Sequence, residues 1–321
     1  MTERVLLDTD LGMGAPGSDI DDGFALALAV ADPDVELELV TTVNGNTDVD
    51  RATGLTLDLL RRLGREQVPV ARGASRPLLR SHPRSPEGAA AVVPPGSDPT
   101  GREVSHAARH LAERVMAEPG ELTVVAIGPL TNVALALALE PRVAECVKEI
   151  VVMGGVYLEH TNVAAMPGEF NFWVDPEAAA MVLDSGAPLR LVGLDVTRKV
   201  RLSTEDAAAL RASGGEFAPF AADCTDEWIA HLAETVPGDE REQGSCALHD
   251  PLAVAAVTRP ELLTWRNAYV EVETAGERTR GVAVADLLTT TSPPRPNCRI
   301  AVDVDTDGFR EHLLGSLRSL P

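Results

Sequence analysis

The stretch from Val5 to Leu28, VLLDTDLGMGAPGSDIDDGFALAL, is the most informative part of this chain. It begins with a short apolar run typical of a buried strand and ends with residues typical of the start of a helix. Between these two elements lie five aspartates, Asp8, Asp10, Asp19, Asp21 and Asp22. Clustered carboxylates repel one another unless a positive charge lies among them, and the hard cations Ca²⁺ and Mg²⁺ prefer oxygen ligands. The stretch therefore predicts a metal site at a strand-to-helix junction.

Two other interpretations of the same stretch are weaker. A solvated acidic loop that caps a helix needs one aspartate, because a single side chain satisfies the first backbone amides. The glycines Gly12, Gly14 and Gly17 also fit the G-x-G-x-x-G pattern of a dinucleotide-binding turn. That turn presents bare amides to a pyrophosphate, whereas here carboxylates would lie at the phosphate position. We therefore exclude dinucleotide binding.

Composition limits the class of protein. The 321 residues are 45% hydrophobic, which is enough for a full core, and their formal net charge of −21 argues against nucleic acid and anionic membranes as partners. The four cysteines show no C-x-x-C spacing, so we expect thiols in a reducing compartment. The amino terminus leads straight into a strand, and no apolar run reaches the roughly 18 residues that span a bilayer. We expect a cytoplasmic protein.

Short runs rich in Val, Ile and Leu alternate with helical segments. The predicted strands are Val5–Asp8, Glu38–Val43, Leu122–Ile127, Glu149–Met153 and Leu189–Leu194. The predicted helices are Asp22–Ala31, Val49–Leu63, Ser105–Ala117, Asn132–Leu139 and Pro176–Ser185. This alternation predicts an α/β fold with an open, mostly parallel sheet and helices on both faces, a Rossmann-like core. Beyond Trp265 we expect a small peripheral β/α region.

We predict one domain over residues 1–321. Two stretches break the alternation: residues 80–102 are dense in Pro, Gly and Ser, and residues 213–245 mix aromatic, acidic and glycine residues. Loops this long in a compact domain are usually lids or disordered, and we predict lid loops.

Polar and glycine residues follow the predicted strands. Asp10 ends the first strand, Asn46 follows the second, Gly128 the third and Gly154 the fourth. In open α/β sheets, ligands bind beyond the carboxyl ends of the strands. The sequence therefore predicts the functional site at that edge.

Three downstream motifs allow both a structural and a chemical interpretation. Asp175 and Asp250 each precede a proline, which is the usual start of a helix, so pattern alone favours two caps. His249, directly before Asp250, favours chemistry, because histidine is the usual proton donor near neutral pH. Glu169 and Asn171 fit either a loop carboxylate with a local amide or a binding pair.

Taken in order, seven motifs make the chain resemble the inosine–uridine-preferring nucleoside hydrolase family. They are Asp8-Thr9-Asp10, Asp19-Ile20-Asp21-Asp22, Gly45-Asn46, Gly128-Pro129-Leu130-Thr131-Asn132, Val152-Met153-Gly154-Gly155, Glu169-Phe170-Asn171 and His249-Asp250-Pro251-Leu252-Ala253. The resemblance spans essentially the whole chain. It implies a nucleoside-hydrolase-like fold and hydrolysis of the N-glycosidic bond of ribonucleosides to ribose and free base, in purine or pyrimidine salvage.

The resemblance also implies a tightly bound Ca²⁺ and assigns site residues. The metal ligands would be Asp10, Asp22, Asp250 and the backbone carbonyl of Ile127. The residues that contact the substrate would be Asp21, Asn46, Met153, Asn162, Glu169 and Asn171, with Trp228 as the stacking residue. The family further implies a homodimer or homotetramer.

The implied chemistry agrees with physical expectation. Cleavage passes through an oxocarbenium-like ribosyl cation, which carboxylates around the sugar stabilise. Asp10 would act as the base toward a metal-bound water, the nucleophile, and His249 as the acid toward the leaving base.

The chain departs from the family pattern, and two other functions stay open. The aspartate loop carries about five extra residues around Met13 to Gly17, and a histidine- and glycine-rich stretch expected before Pro94 is absent, with His82 nearby. Asp8-Thr9-Asp10 after a strand also resembles the haloacid dehalogenase-type phosphohydrolases, although Gly12 stands at their Thr/Val position. A non-catalytic nucleoside-binding protein that keeps the calcium pocket is the third candidate.

Overall fold

The computed structural model describes residues 2–79, 106–159, 165–239, 243–288 and 292–320. The strands in these residues are β1 (Glu3–Thr9), β2 (Val35–Thr42), β3 (Val70–Arg72), β4 (Leu122–Ala126), β5 (Glu149–Met153), β6 (Leu189–Val192), β7 (Arg201–Ser203), β8 (Ser245–Ala247), β9 (Leu263–Val272), β10 (Ala283–Asp286) and β11 (Cys298–Val304). The helices are α1 (Asp21–Ala31), α2 (Val49–Arg62), α3 (Ala107–Ala117), α4 (Thr131–Leu139), α5 (Val143–Cys146), α6 (Phe170–Val174), α7 (Pro176–Leu183), α8 (Leu194–Thr197), α9 (Thr204–Arg211), α10 (Phe217–Thr235), α11 (His249–Thr258) and α12 (Thr306–Leu317).

Nine of these strands form one sheet in the order β10-β9-β11-β6-β5-β4-β1-β2-β3, and β7 pairs with β8 separately. The central strands β1, β2, β4, β5 and β6 are parallel. Strand β9 is antiparallel to both β10 and β11, which forms the peripheral region expected beyond Trp265. The predicted α/β class is confirmed.

Both faces of the sheet are covered, which explains why the central strands are continuously apolar. Successive residues of a strand point to opposite faces, so Leu7 joins one core with Phe24 and Leu252, and Leu6 joins the other with Leu111 and Phe172. Among the described residues, no helix has the length and hydrophobicity needed to cross a bilayer. No disulfide joins the four cysteines.

The segment 213–245, predicted as a loop, contains the 19-residue helix α10. Its buried residues include Phe217, Ala221, Cys224 and Ile229, whose spacing follows one face of a helix. The glycines before it and the mixed polar content hide this period in the sequence. The sequence also missed β3, which is only three residues long, and the start of β9 at Leu263. The predicted lid 80–102, His82 and Asn162 lie outside the described residues.

Candidate functional site

A cavity of about 1050 Å³ lies at the carboxyl edge of the parallel strands. Parallel pairing of β1 with β2 and β4 brings the strand ends together, as the sequence predicts. The cavity lining contains most of the predicted site residues, namely Asp21, Asn46, Ile127, Met153, Glu169, Asn171, Trp228, His249 and Asp250. Asp10 and Asp22 lie below this lining and are fully buried.

Three carboxylates converge at the floor of the cavity. Asp21, Asp22 and Asp250 each offer an oxygen atom, and these atoms lie within 4.8 Å of one another. Helices α1 and α11 begin side by side here because they pack against each other. Asp21 Oδ2 accepts hydrogen bonds from the backbone N–H groups of His249 (2.9 Å) and Asp250 (3.1 Å), so it caps α11.

Asn46 joins this cluster to Asp10. Its backbone N–H donates to Asp10 Oδ2 (2.6 Å), and its side-chain amide donates to Asp22 Oδ2 (2.8 Å). The Thr9 hydroxyl donates to the other oxygen of Asp22. Asp10 Oδ1 is buried with no hydrogen-bond partner among the described residues. A buried acceptor without a donor is costly, so this oxygen is free for a cation or for a ligand hydroxyl.

Glycines make room for Asp10. A Cβ atom on Gly45 would overlap Asp10 Oδ2, and one on Gly128 would lie 2.8 Å from Asp10 Oδ1. Both glycines belong to motifs that follow strands, and the need for space around Asp10 explains why these motifs contain glycine. The backbone reaches the carboxylate only because these positions lack a side chain.

Burial and mutual repulsion raise the pKa values of the acidic cluster. Burial, followed by the charges of neighbouring aspartates, raises the pKa of Asp10, Asp21 and Asp250 well above the ordinary range and that of Asp22 to about 7. No lysine or arginine in the described residues pairs with these four. Because an all-oxygen donor set with no protein cation suits a hard divalent ion, the cluster can hold a metal.

Glu169 and Asn171 form a second arrangement on the cavity wall. Glu169 accepts hydrogen bonds from the backbone N–H groups of Asn171 (2.7 Å), Gly155 (3.0 Å) and Phe172 (3.1 Å), and burial raises its pKa to about 7. The Asn171 amide donates to the carbonyl oxygens of Ile127 (3.0 Å) and Met153. The Asn171 side chain therefore holds the backbone at Ile127 and at Met153, two other predicted site residues.

His249 and Trp228 lie at other parts of the lining. His249 Nδ1 is 2.7 Å from the Thr197 hydroxyl. Burial, followed by the charges of Arg198 and Arg201, lowers the pKa of His249 to about 3, so the ring is neutral at pH 7. Trp228 is half-buried on α10 and stacks on His231, with ring centroids 5.3 Å apart and planes at 17°.

The structure separates the two aspartates that pattern alone could not. Asp175 caps α7, since it accepts from the backbone N–H of Ala178 at 3.1 Å. Asp250 lies inside the first turn of α11 and joins the acidic cluster instead. Sequence reasoning missed Thr197 and Arg198, which follow β6; the signal was available, because polar residues after a parallel strand mark the functional edge.

Comparisons with known proteins indicate nucleoside hydrolases. The family model described as "Inosine-uridine preferring nucleoside hydrolase" matches residues 5–311. The pyrimidine-specific ribonucleoside hydrolase RihA of Shewanella woodyi is 35% identical over 327 residues, covering 99% of both chains. A plant nucleoside hydrolase, PpNRh1, superposes with a TM-score of 0.83 at 28% identity, covering 99% of both chains. A purine-preferring ribonucleoside hydrolase from Gardnerella vaginalis also gives a TM-score of 0.83, at 29% identity over 98% of both chains.

Proposed function

This chain belongs to the inosine-uridine preferring nucleoside hydrolase family, and from that premise we propose that it hydrolyses ribonucleosides to ribose and free base with Ca²⁺ as its metal. Its relatives and structural neighbours are N-glycosyl hydrolases, so the enzyme class follows from the family. The observation that carries the proposal is the buried carboxylate cluster, which has no lysine or arginine partner in the part of the chain that the structure describes, at the floor of a cavity large enough for a nucleoside.

We assign the metal to Asp10, Asp22, Asp250 and the Ile127 carbonyl. The orphaned Asp10 Oδ1 and the proximity of Asp22 to Asp250 support this donor set. Its members are all oxygens, which favours Ca²⁺ over softer ions. When bound, the cation supplies charge compensation for the carboxylates and increases the acidity of a nearby water.

The ribose would lie in the same cavity as Trp228. We assign its hydroxyl groups to Asp21, Asn46, Glu169 and Asn171, and its lower face to Met153; all five residues line the cavity. Glu169 and Asp21 are held by backbone amides, so their carboxylates are preorganised for a ligand. The assignment of Asn162 to the sugar stays a prediction.

The chain's own residues then account for the reaction. The bond between C1′ and the base nitrogen breaks, water oxygen adds to C1′, and Asp10 takes the proton of that water. The surrounding carboxylates stabilise the ribosyl cation that develops between these events. His249 donates an Nε2–H hydrogen bond to the nitrogen of the departing base when the Thr197 hydroxyl donates to Nδ1, the tautomer that their 2.7 Å contact permits, and the base anion takes its proton from water.

The two alternatives are less well supported. A haloacid dehalogenase-type mechanism needs an exposed Asp8, but Asp8 is fully buried, and it accepts hydrogen bonds from the Asn132 amide (2.8 Å) and the Thr41 hydroxyl. A non-catalytic binding protein would keep the same calcium pocket, and it is less well supported because the relatives and structural neighbours are nucleoside hydrolases.

A substrate panel tests the proposal. The enzyme with calcium should release nitrophenolate from p-nitrophenyl riboside and free base from uridine or inosine, and it should not act on p-nitrophenyl phosphate. Activity on the phosphate alone would select the phosphohydrolase. Saturable nucleoside binding without any turnover would select the binding protein.

Base preference is left to the panel, because relatives differ: the RihA of Shewanella woodyi is pyrimidine-specific and the Gardnerella vaginalis enzyme is purine-preferring. We also propose a cytoplasmic homodimer or homotetramer that serves nucleoside salvage. The lack of disulfides among four cysteines supports a reducing compartment.

A further inference from the structure

The loop between β1 and α1 leaves the metal cluster and packs against α10. A Cβ atom on Gly14 would lie 3.2 Å from Phe220 Cζ, and one on Gly17 would lie 3.7 Å from His231 Cε1. Both glycines have left-handed backbones, with φ of +93° and +72°. Loop and helix are therefore close neighbours at two points along α10, about two turns before Trp228 and about one turn after it.

Internal hydrogen bonds give the loop a defined shape. The backbone N–H of Ala15 donates to the Gly12 carbonyl (2.8 Å), and that of Ser18 donates to the Ala15 carbonyl (3.2 Å). The Ser18 hydroxyl donates to the Asn46 carbonyl (3.2 Å), which ties the loop to the residue that bridges the aspartates. The loop thus connects the cavity floor to the helix.

The other side of α10 is anchored on α2. The Arg62 guanidinium lies 4.2 Å from the centroid of the Phe220 ring, and Arg61 pairs with Glu216 at 3.0 Å. Phe220 is therefore held between the loop and Arg62. A shift of the loop at Gly14 would move the helix through this ring.

Trp228 lies where this contact meets the substrate cavity. It lines the large cavity, and with Cys224, Glu227 and His231 it also lines a small space that the loop closes from the other side. His231 stacks on Trp228 and lies beside the loop at Gly17, where an added Cβ atom would be 3.7 Å from its ring. The loop therefore borders both Trp228 and the ring stacked on it, and its residues Gly17 and Ser18 also line the large cavity.

We infer that residues 12–18 are a specificity element that positions Trp228 for the base of the nucleoside, an inference that rests on the proposed function. The loop should affect binding of the aromatic base, because Trp228 can bind a base by stacking. The ribose and the metal are bound by other residues. Disturbing the loop should therefore weaken nucleoside binding and leave binding of ribose alone unchanged.

The test compares two glycine substitutions in the calcium-loaded enzyme. Gly14→Ala strains a left-handed residue and pushes on Phe220. Gly120→Ala also strains a left-handed residue, φ +82°, but its new Cβ atom would meet no described residue within 4 Å apart from its chain neighbours. We expect Gly14→Ala to raise KM for uridine or inosine about tenfold, within the range that loss of a base–aromatic stack produces. The dissociation constant of ribose should stay within about twofold, and Gly120→Ala should change neither value.

Two further variants separate positioning from general damage. Phe220→Leu removes the ring tip that Gly14→Ala meets, so the double variant should recover most of the lost affinity. In a Trp228→Ala background, adding Gly14→Ala should have no further effect on nucleoside binding. If Gly14→Ala does not fold by circular dichroism, Gly17→Ala takes its place.

Equal loss of ribose and nucleoside affinity, equal effects of the two glycine substitutions, or an undiminished effect without Trp228 would each overturn the inference. Nucleoside quenching of Trp228 fluorescence, isolated with Trp228→Phe, gives a readout independent of turnover. A wild-type enzyme that binds nucleosides without cleaving them would overturn the proposed function while this readout still tests the loop.

Discussion

The two ends of the parallel sheet hold acidic side chains in opposite ways. At the amino end, Arg4 binds the Glu118 carboxylate through contacts of 2.5 and 2.9 Å, and Lys148 binds Glu3. At the carboxyl end, Asp10 and its aspartate neighbours are buried with no lysine or arginine partner among the described residues. The first end is neutralised by the chain itself, and the second needs something from outside the chain.

The pKa values follow the same division. A hydrogen bond from Arg4 lowers the pKa of Glu118, whereas burial raises the pKa of Asp22 to about 7. Buried carboxylates that lack a cation destabilise the fold at neutral pH. The buried carboxylates at the carboxyl end of the sheet therefore repel one another, and a bound cation would lower the free energy of the fold by compensating their charge.

The largest effect should come from Asp10→Asn. The substitution keeps the shape of the side chain but removes the base and one negative charge, so turnover of uridine should fall at least about 10⁴-fold, or about 5 kcal/mol in the activation barrier. Circular dichroism should be unchanged. Steady-state kinetics in saturating calcium provide the measurement.

Glu118→Gln at the amino end is the matched control, since it also neutralises a carboxylate, and its turnover should equal that of the wild type. If Asp10→Asn kept turnover within about tenfold of wild type, Asp10 would not be the base and the contrast between the two ends would lose its meaning.

The next effect concerns His249. Its neutral ring can donate an Nε2–H hydrogen bond to the negative charge that develops on a poor leaving group, so His249→Ala should slow hydrolysis of uridine or inosine by roughly 10²- to 10³-fold. Hydrolysis of p-nitrophenyl riboside should change by less than about threefold, because nitrophenolate leaves without a proton. Comparing kcat/KM for the two substrate types measures this split.

Asp250→Asn is the control for the neighbouring position, because loss of a metal ligand should impair both substrate types to a similar degree. Equal losses on both substrate types for His249→Ala would show that His249 only packs beside Asp250. Another cavity residue would then assist the leaving group.

Sequence reasoning succeeded where chemistry and chain order coincide. The Asp8–Asp22 cluster, Asn46 and Gly128 each follow a parallel strand, so the topology that the sequence predicts also places them at one edge. The edge that holds the candidate site could therefore be predicted from the strand ends alone. The carboxylate cluster was visible because Asp21 and Asp22 share the start of one helix.

What the sequence could not provide depends on packing between distant segments. Asp21 caps α11 by accepting a hydrogen bond from His249, which lies 228 positions further along the chain. The neutral state of His249 follows from its burial near Arg198. Helix α10 was not predicted because acidic residues of its exposed face alternate in the sequence with the residues of its buried face. None of these follows from local pattern.

An intermediate effect should appear when the metal is removed. In the folded chain the pKa of Asp8, Asp22 and Glu169 is about 7, above the ordinary values of 3.8 to 4.5. Between those values the folded state binds more protons than the unfolded state, so the free energy of unfolding decreases as pH rises toward 7. The pKa of His249 is lowered to about 3, so this residue makes the free energy of unfolding increase with pH below pH 6.5. It is a single group, and its effect is smaller than that of the several carboxylates.

Metal-free protein should therefore melt at a higher temperature at pH 5.5 than at pH 7.5, by several degrees. Saturating calcium should reduce this trend, because the cation and the protons compete for Asp22 and the other proposed ligands, whereas Asp8 and Glu169 keep their contribution. Differential scanning calorimetry at both pH values, with and without calcium, measures it. A metal-free melting temperature that rose with pH would mean that the cluster is compensated within the chain, as the amino end is.

The smallest effect should come from the amino end itself. Lys148 and Glu3 pair at the surface with side chains 41% and 23% exposed, so solvent and salt screen their attraction. Lys148→Ala should change the free energy of unfolding by less than about 1 kcal/mol, and this change should shrink further in high salt. Turnover and the response of the melting temperature to calcium should equal those of the wild type, because no bound ion depends on this pair. A Lys148→Ala enzyme that lost activity or calcium response would show that the amino and carboxyl ends of the sheet are coupled. The inference that only the carboxyl end binds a cation and supports turnover would then be wrong.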